Sequence, residues 1–283
     1  SGIGPMIPPS SPMILYSAIT GVSLGALFLA GIIPGLLLAL SQMLIVAYLA
    51  RKRGWLPYAA FSLHEVWRTG KRAILPFGLP LIIVGGMVVG LFTPSEAGAF
   101  AVVYALFLSM VVHRALTLRG LYRVLVNAVQ LSGELLIIVG LSFALGAGLT
   151  NAHVPEFLVQ LIDLVVVYDS EFLKILALVL LAIVAGMILD PLIPVLIPII
   201  LPTLITYNID LVHFGVLMVI SVVIGQVTPP MAIALIIAGK IADVDQIRVL
   251  RANMPFLLGI IAFMLFAIAV PAVATWLPEV LRN

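Results

Sequence analysis

The chain contains no cysteine, which excludes disulfides, thiolate metal sites and thiol nucleophiles. Charge is nearly as scarce, at 9% of the 283 residues, against about 25% in soluble globular domains. The net charge of +2 is too small to draw a nucleic-acid partner. The four histidines, His64, His113, His153 and His213, are scattered near loops and form no metal-ligand cluster. There is no Walker A pattern, so the chain does not itself hydrolyse ATP, and Gly146-Ala147-Gly148 lacks the strand, the third glycine and the aqueous setting of a dinucleotide fold. With no pair of membrane aspartates, no Ser near a His and no zinc-ligand spacing, an intramembrane enzyme is not indicated either.

What fills the chain is apolar: 63% of residues are hydrophobic. At about 20 residues per crossing, this predicts several membrane spans and leaves no room for a separate soluble domain. The apolar runs cover residues 24 to 50, 74 to 91, 96 to 112, 133 to 149, 211 to 242 and 255 to 276. Amphipathic segments near 51 to 72 and 114 to 123 lie between them, with Trp55 and Trp67 beside basic residues as interfacial anchors. The chain opens at Ser1 already inside an apolar, Pro-rich pattern, as expected of the C-terminal part of a longer protein.

Twelve of the fourteen Lys and Arg fall at 51 to 72, 114 to 123 and 240 to 251, on one side of the membrane if the spans alternate. The positive-inside tendency makes that side cytoplasmic, which places the C-terminus outside. Between Glu171 and Asp210 the chain goes in and returns, turning at Asp190-Pro191. That turn has no Lys or Arg, and Pro194, Pro198 and Pro202 follow it. These features predict a re-entrant hairpin whose tip stops inside the membrane, where protein or a watery cavity must satisfy its backbone. A carboxylate at that depth needs a cation or a cavity; the plainer alternative for Asp190 is an Asp-Pro turn that reaches water.

The span 211 to 242 is interrupted by "IGQVTPPMAI", and "IGPMIPPSSPMI" at the start of the chain repeats its spacing, Gly4-Pro8-Pro9 against Gly225-Pro229-Pro230. Proline has no N–H, so carbonyls in the preceding turn lose their helical donors. Carbonyls released at mid-depth suit Na+, and the N-terminus of the following half-helix suits an anion. The half-helices, near 11 to 20 and 231 to 240, run in opposite directions in this topology. Interrupted helices in two inverted halves point to a transporter's binding site; a packing kink is the plainer alternative, and a channel subunit without gradient coupling is the second functional class. Glu96 after Thr93-Pro94 reads as a helix cap, and Gly21/Gly25, Gly31/Gly35 and Gly86/Gly90 as close helix packing.

"GPMIPPSSPMILY", "GVSLGALFLAGIIPG", "GLFTPSEAGAFAVVYAL", "GMILDPLIPVLIPIILP" and "NIDLVHFGVLMVISVVIGQVTPPMAIAL", in this order, resemble the large membrane subunit of the tripartite ATP-independent periplasmic (TRAP) transporters. The resemblance covers nearly the whole chain; the family's N-terminal portion, about a third of a typical subunit, is what it lacks. It implies an all-α, inverted-repeat elevator transporter. Residues 1–20 would then be the second half of the first broken helix of a transport domain, and 21–132 scaffold helices and cytoplasmic arms. Residues 133–242 would return to the transport domain, with a span, the re-entrant hairpin 171–208 and the second broken helix 211–242. Residues 243–283 would be scaffold again, with the last transmembrane helix.

The resemblance further implies Na+-coupled import, across a bacterial inner membrane, of an organic acid such as a C4-dicarboxylate or sialic acid. A soluble periplasmic binding protein would deliver the acid, and a small four-helix membrane subunit would brace the scaffold. One Na+ site would use Gly4, Pro5, Ile7 and Ser10, the other Gly186, Asp190, Gly225, Val227, Thr228 and Met231. The substrate would lie between the breaks near Ser10, Thr228 and Pro229. Ser11 stands where the family pattern has an apolar residue and adds a hydroxyl on that side.

Overall fold

The protein is described from a computed structural model covering residues 3–54, 62–166, 170–230 and 232–282. Trp55, Asp169 and Met231 lie outside the described residues. The described chain is helical throughout, with no strand. Among these residues four helices are long and apolar enough to cross a membrane: Leu24–Arg53, Pro94–Val112, Leu118–Asn151 and Gln246–Ala269. A fifth crossing results if Leu63–Lys71 and Ala73–Val88, bent by 56°, form one broken span. The chain is a polytopic α-helical membrane protein.

Two compact units are present, one of residues 1–46 and 137–283, the other of residues 47–136. In the smaller unit α3 (Leu63–Pro80) continues through a π-helical turn at Leu81–Gly85 into the short α4 (Gly86–Val88). The amphipathic segment and the span that the sequence pattern separates are therefore one helical run with a bend. Gly90, at φ +74°, closes it in a left-handed turn that favours glycine. Next comes α5 (Pro94–Phe107), whose Thr93 hydroxyl accepts from the Glu96 N–H while the Glu96 carboxylate accepts from the Thr93 N–H at 2.8 Å. This reciprocal capping box bears out the cap expected from the sequence. The Tyr104 hydroxyl of α5 donates to the Leu75 carbonyl of α3 at 2.9 Å, and Phe92 stacks on Phe100 at 4.5 Å.

In the larger unit α1 (Ser11–Thr20) has the expected bounds, and α2 runs Leu24–Arg53. Gly21 does not pack helices as expected: at φ +75° it caps α1, and a Cβ there would meet nothing within 4 Å. Gly31 and Gly35 do pack closely, since a Cβ on Gly31 would lie 2.7 Å from the Met6 carbonyl oxygen and one on Gly35 2.9 Å from Ile7 Cγ1. This seats the first break against α2. The long helix α6 (Leu118–Asn151) takes in the Arg119/Arg123 stretch that polarity sets apart from the span. After it comes α7 (Val154–Val165).

The hairpin arms are α8 (Glu171–Gly186) and α9 (Leu192–Thr206), joined by the turn at Asp190. Pro198 and Pro202 leave α9 unbroken, and Pro198 packs on Gly146 of α6. At the centre is α10 (Leu211–Gln226), capped by Asp210, whose carboxylate accepts from the His213 N–H; every residue from His213 to Gly225 is buried. A helix apolar on all sides must be enclosed in this way, and α8, α1 and α12 (Gln246–Ala269) pack around it. Tyr16 ties α1 to α10 by donating to the Leu211 carbonyl at 2.8 Å, and His213 ties α10 to α12 through a 2.9 Å hydrogen bond with the Ala267 carbonyl. Following α11 (Ile233–Ala242), the expected last span at 255 to 276 is instead α12 (Gln246–Ala269) and a separate helix α13 (Ala272–Arg282), divided before Pro271. Pro255 is tolerated inside α12.

Candidate functional site

The second break runs from Val227 to Ala232. Pro229 and Pro230 cannot donate to Gly225 and Gln226, the carbonyls four residues back. The chain compensates for Gly225 with a tighter bond, the Thr228 N–H donating to its carbonyl at 3.2 Å. The Thr228 hydroxyl donates to the Ile224 carbonyl at 2.6 Å, which leaves its lone pairs to accept. Ala232, at φ +40°, redirects the chain into α11, and no side chain caps that helix.

Gly186 ends the first hairpin arm and lies directly against Gly225. A Cβ on Gly225 would sit 2.6 Å from both the carbonyl carbon and the carbonyl oxygen of Gly186. This backbone approach brings the hairpin tip to the break. Gly186, Asp190, Gly225 and Gln226 line one cavity of about 10 Å³, together with the start of α11 at Ala232 and Ile233. That volume is close to what a single water needs. A carboxylate, the uncapped N-terminus of a helix and a close pair of glycine backbones therefore meet around a space of ionic size. Asp190 itself is exposed.

The first break is built differently. Ile3 to Met6 form a turn in which the Met6 and Ile7 N–H groups both donate to the Ile3 carbonyl, at 3.0 and 3.2 Å. Gly4 is exposed and Pro5 half-buried in this turn, and Ile7 is exposed. Ser10 is 2% exposed, donates to the Pro5 carbonyl and accepts from the Met13 N–H at 3.4 Å, so it caps α1. One lone pair of its hydroxyl stays open. Ser11, the first residue of α1, is exposed, as is Pro229.

A larger cavity of about 260 Å³ touches both breaks, at Ile3 and at Val227. Its other walls are Leu38, Gln42 and Val46 of α2, Val223 of α10, and Asn253, Phe256 and Ile260 of α12. The structure thus gathers Gly186, Asp190 and Gly225 at the small cavity and puts Val227 on the large one, while Gly4, Pro5, Ile7, Ser10, Ser11, Thr228 and Pro229 line neither. Met231 is outside the described residues. Gln42 and Asn253 are absent from the residues expected at a site; Gln42 is an amide inside the apolar run 24 to 50, the one signal the sequence offers, while Asn253 follows the basic segment ending at Arg251.

The profile of the family described as the tripartite ATP-independent periplasmic transporter, DctM component, matches residues 1–273. A sialic acid TRAP transporter large permease protein of Vibrio cholerae is 32% identical over 279 residues, covering 98% of this chain and 65% of that protein. A C4-dicarboxylate TRAP transporter large permease of Pseudomonas aeruginosa gives the same identity and coverage. The 2,3-diketo-L-gulonate TRAP transporter large permease of Escherichia coli is 31% identical over 271 residues, 95% of this chain and 63% of its own length. The chain spans about two thirds of the length of these curated relatives. On the match across residues 1–273, the chain belongs to the DctM-component family of tripartite ATP-independent periplasmic transporters.

Proposed function

We propose that this chain forms the transporting core of a membrane subunit that imports an organic acid, driven by a Na+ gradient. The observation that carries the reading is the meeting of the hairpin tip and the second break at one ion-sized cavity lined by Gly186, Asp190 and Gly225. These residues fit Na+, because they offer a carboxylate and backbone carbonyls, the hard oxygen ligands found in the unwound helices of secondary transporters. Asp190 supplies the charge, and the backbone carbonyls of Gly186 and Gly225 supply neutral donors at the same cavity. Gly4, Pro5, Ile7 and Ser10 form the counterpart at the first break.

The acid binds between the two breaks, near Ser10, Ser11, Thr228 and Pro229. The hairpin 171–208 is re-entrant, and the segments 1–20 and 133–242 move together as an elevator against the scaffold segments 21–132 and 243–283. The protein lies in a bacterial inner membrane with its C-terminus on the periplasmic side. A periplasmic binding protein delivers the acid, and a small four-helix membrane subunit braces the scaffold. The relatives carry sialic acid, C4-dicarboxylate or 2,3-diketo-L-gulonate in their names, which supports a carboxylate as cargo.

Coupling draws on the membrane potential, worth about 2.3 kcal/mol per charge per 100 mV. Proteoliposomes holding the intact protein and its partners are expected to accumulate a labelled organic acid only with an inward Na+ gradient. Uptake indifferent to Na+ would defeat the proposal.

A further inference from the structure

The first half of α3, Leu63–Lys71, is bent by 56° from the apolar stretch Ala73–Val88 that follows it, and every residue in it is exposed. The helix packs only further along, where Gly78 and the Leu75 carbonyl meet Tyr104 of α5. The exposed piece is sorted by face. Leu63, Val66 and Trp67 recur at the i, i+3, i+4 spacing of one helix side, and His64, Glu65, Arg68 and Lys71 take the other. The Lys71 Nζ lies 5.1 Å from the centre of the Trp67 ring, at the border between the two faces. Arg68 pairs with Glu65, an exposed ion pair of the kind that holds weakly. From Leu63 to Arg72 three basic residues stand against one acidic. Helix α7 is also amphipathic, with Phe157, Leu161 and Leu164 exposed, but it carries Glu156 and Asp163 and no Lys or Arg.

We propose that Leu63–Lys71 lies along the membrane–water boundary and gathers anionic phospholipids, whose phosphates are held by Arg68 and Lys71. The two faces match the two layers of that boundary. Trp67 and its apolar neighbours sit at the top of the acyl chains, the level at which tryptophan is enriched. The Lys71 stem runs over the Trp67 ring and keeps its ammonium at the level of the phosphates. A protein segment covering both faces would have to desolvate Arg68 and Lys71 and supply carboxylates to match them, whereas the bilayer surface supplies anions in the layer where the cations already stand. Each Lys or Arg near such a surface is worth about fivefold in lipid affinity. Helix α7, which has no basic residue, has no such preference. The proposal depends neither on the cargo nor on Na+ coupling.

The test uses the full-length protein with Val66→Cys as its single cysteine, carrying a fluorophore, in phosphatidylcholine nanodiscs. Spin-labelled phosphatidylglycerol or spin-labelled phosphatidylcholine, with the label at the same shallow acyl position, is added as quencher. Phosphatidylglycerol is expected to reach half-maximal quenching at a lower share of the lipid, by about fivefold for each basic residue engaged. The pair Arg68→Gln and Lys71→Gln should bring the two lipids together while quenching by phosphatidylcholine persists, and Lys71→Arg alone should keep the preference. A fluorophore on Phe157→Cys of α7 should show none. Equal quenching by both lipids at Val66→Cys, or a preference that survives the glutamine pair or recurs on α7, overturns the proposal. So does quenching by neither lipid, the outcome if another protein segment covers the helix.

Discussion

At the residue scale the account turns on Gly225 and Gly186, because their backbones touch where the hairpin meets the break. The family resemblance puts both glycines in a Na+ set, but the reason for glycine there is steric and lies in a contact between segments far apart in the chain. A methyl group on Gly225 would press 2.6 Å from backbone atoms of Gly186. Backbone cannot swing aside as the end of a flexible side chain can. Gly225→Ala is expected to destabilise the protein by about 1–3 kcal/mol, the usual cost of overpacking, and to lower the melting temperature in detergent. Gly148→Ala, where a Cβ would meet nothing within 4 Å, should leave it level or raise it. An unchanged melting temperature for Gly225→Ala would show that the contact is not tight.

At the element scale, features with a local chemical cause are legible in the sequence. The half-helix after Pro8-Pro9 is one, with α1 at Ser11–Thr20 as expected, although its two caps, Ser10 and Gly21, stand in the sequence pattern as a site hydroxyl and a packing glycine. The Thr93/Glu96 capping box is equally plain. Thr93→Ala should cost about 1 kcal/mol through the lost cap, seen as a lower melting temperature, with Thr93→Ser restoring most of it. The joins are not legible in the same way. Arg119 and Arg123 mark the end of a span by polarity, yet arginine is a good helix former, so α6 continues through them to 34 residues. At 1.5 Å per residue that is about 51 Å, longer than the roughly 30 Å hydrocarbon core. Likewise α7 is not among the apolar runs of the sequence, because Glu156 and Asp163 interrupt Phe157, Leu158, Leu161 and Ile162, which carry its periodicity. At the other end Pro255 reads as a helix start but lies within α12, which Asp245 caps well upstream of it.

For the whole molecule, the repeated Gly-Pro-Pro spacing marks both breaks in the sequence, but not their different chemistry. The first helix end is capped by a buried serine; the second is uncapped and opens on a carboxylate. Sequence spacing carries no information on what lies across the fold, which is why nothing in it pairs Gln42 with Asn253 although they share a cavity wall. The proposed topology is open to a direct check with single cysteines. In intact cells a membrane-impermeant thiol reagent is expected to label Glu279→Cys and to spare Lys52→Cys. Labelling of Lys52→Cys alone would reverse the orientation and with it the direction of both half-helices.

The central claim is that the hairpin tip and the second break hold the coupling ion together. It is tested most directly by the Na+ dependence of uptake in Asp190→Asn, which keeps the size of the side chain and removes its charge. The account predicts a rise of about tenfold or more in the Na+ concentration for half-maximal uptake, as expected when one strong ionic ligand worth roughly 1.4 kcal/mol or more is lost. A Na+ dependence equal to that of the native protein would contradict it.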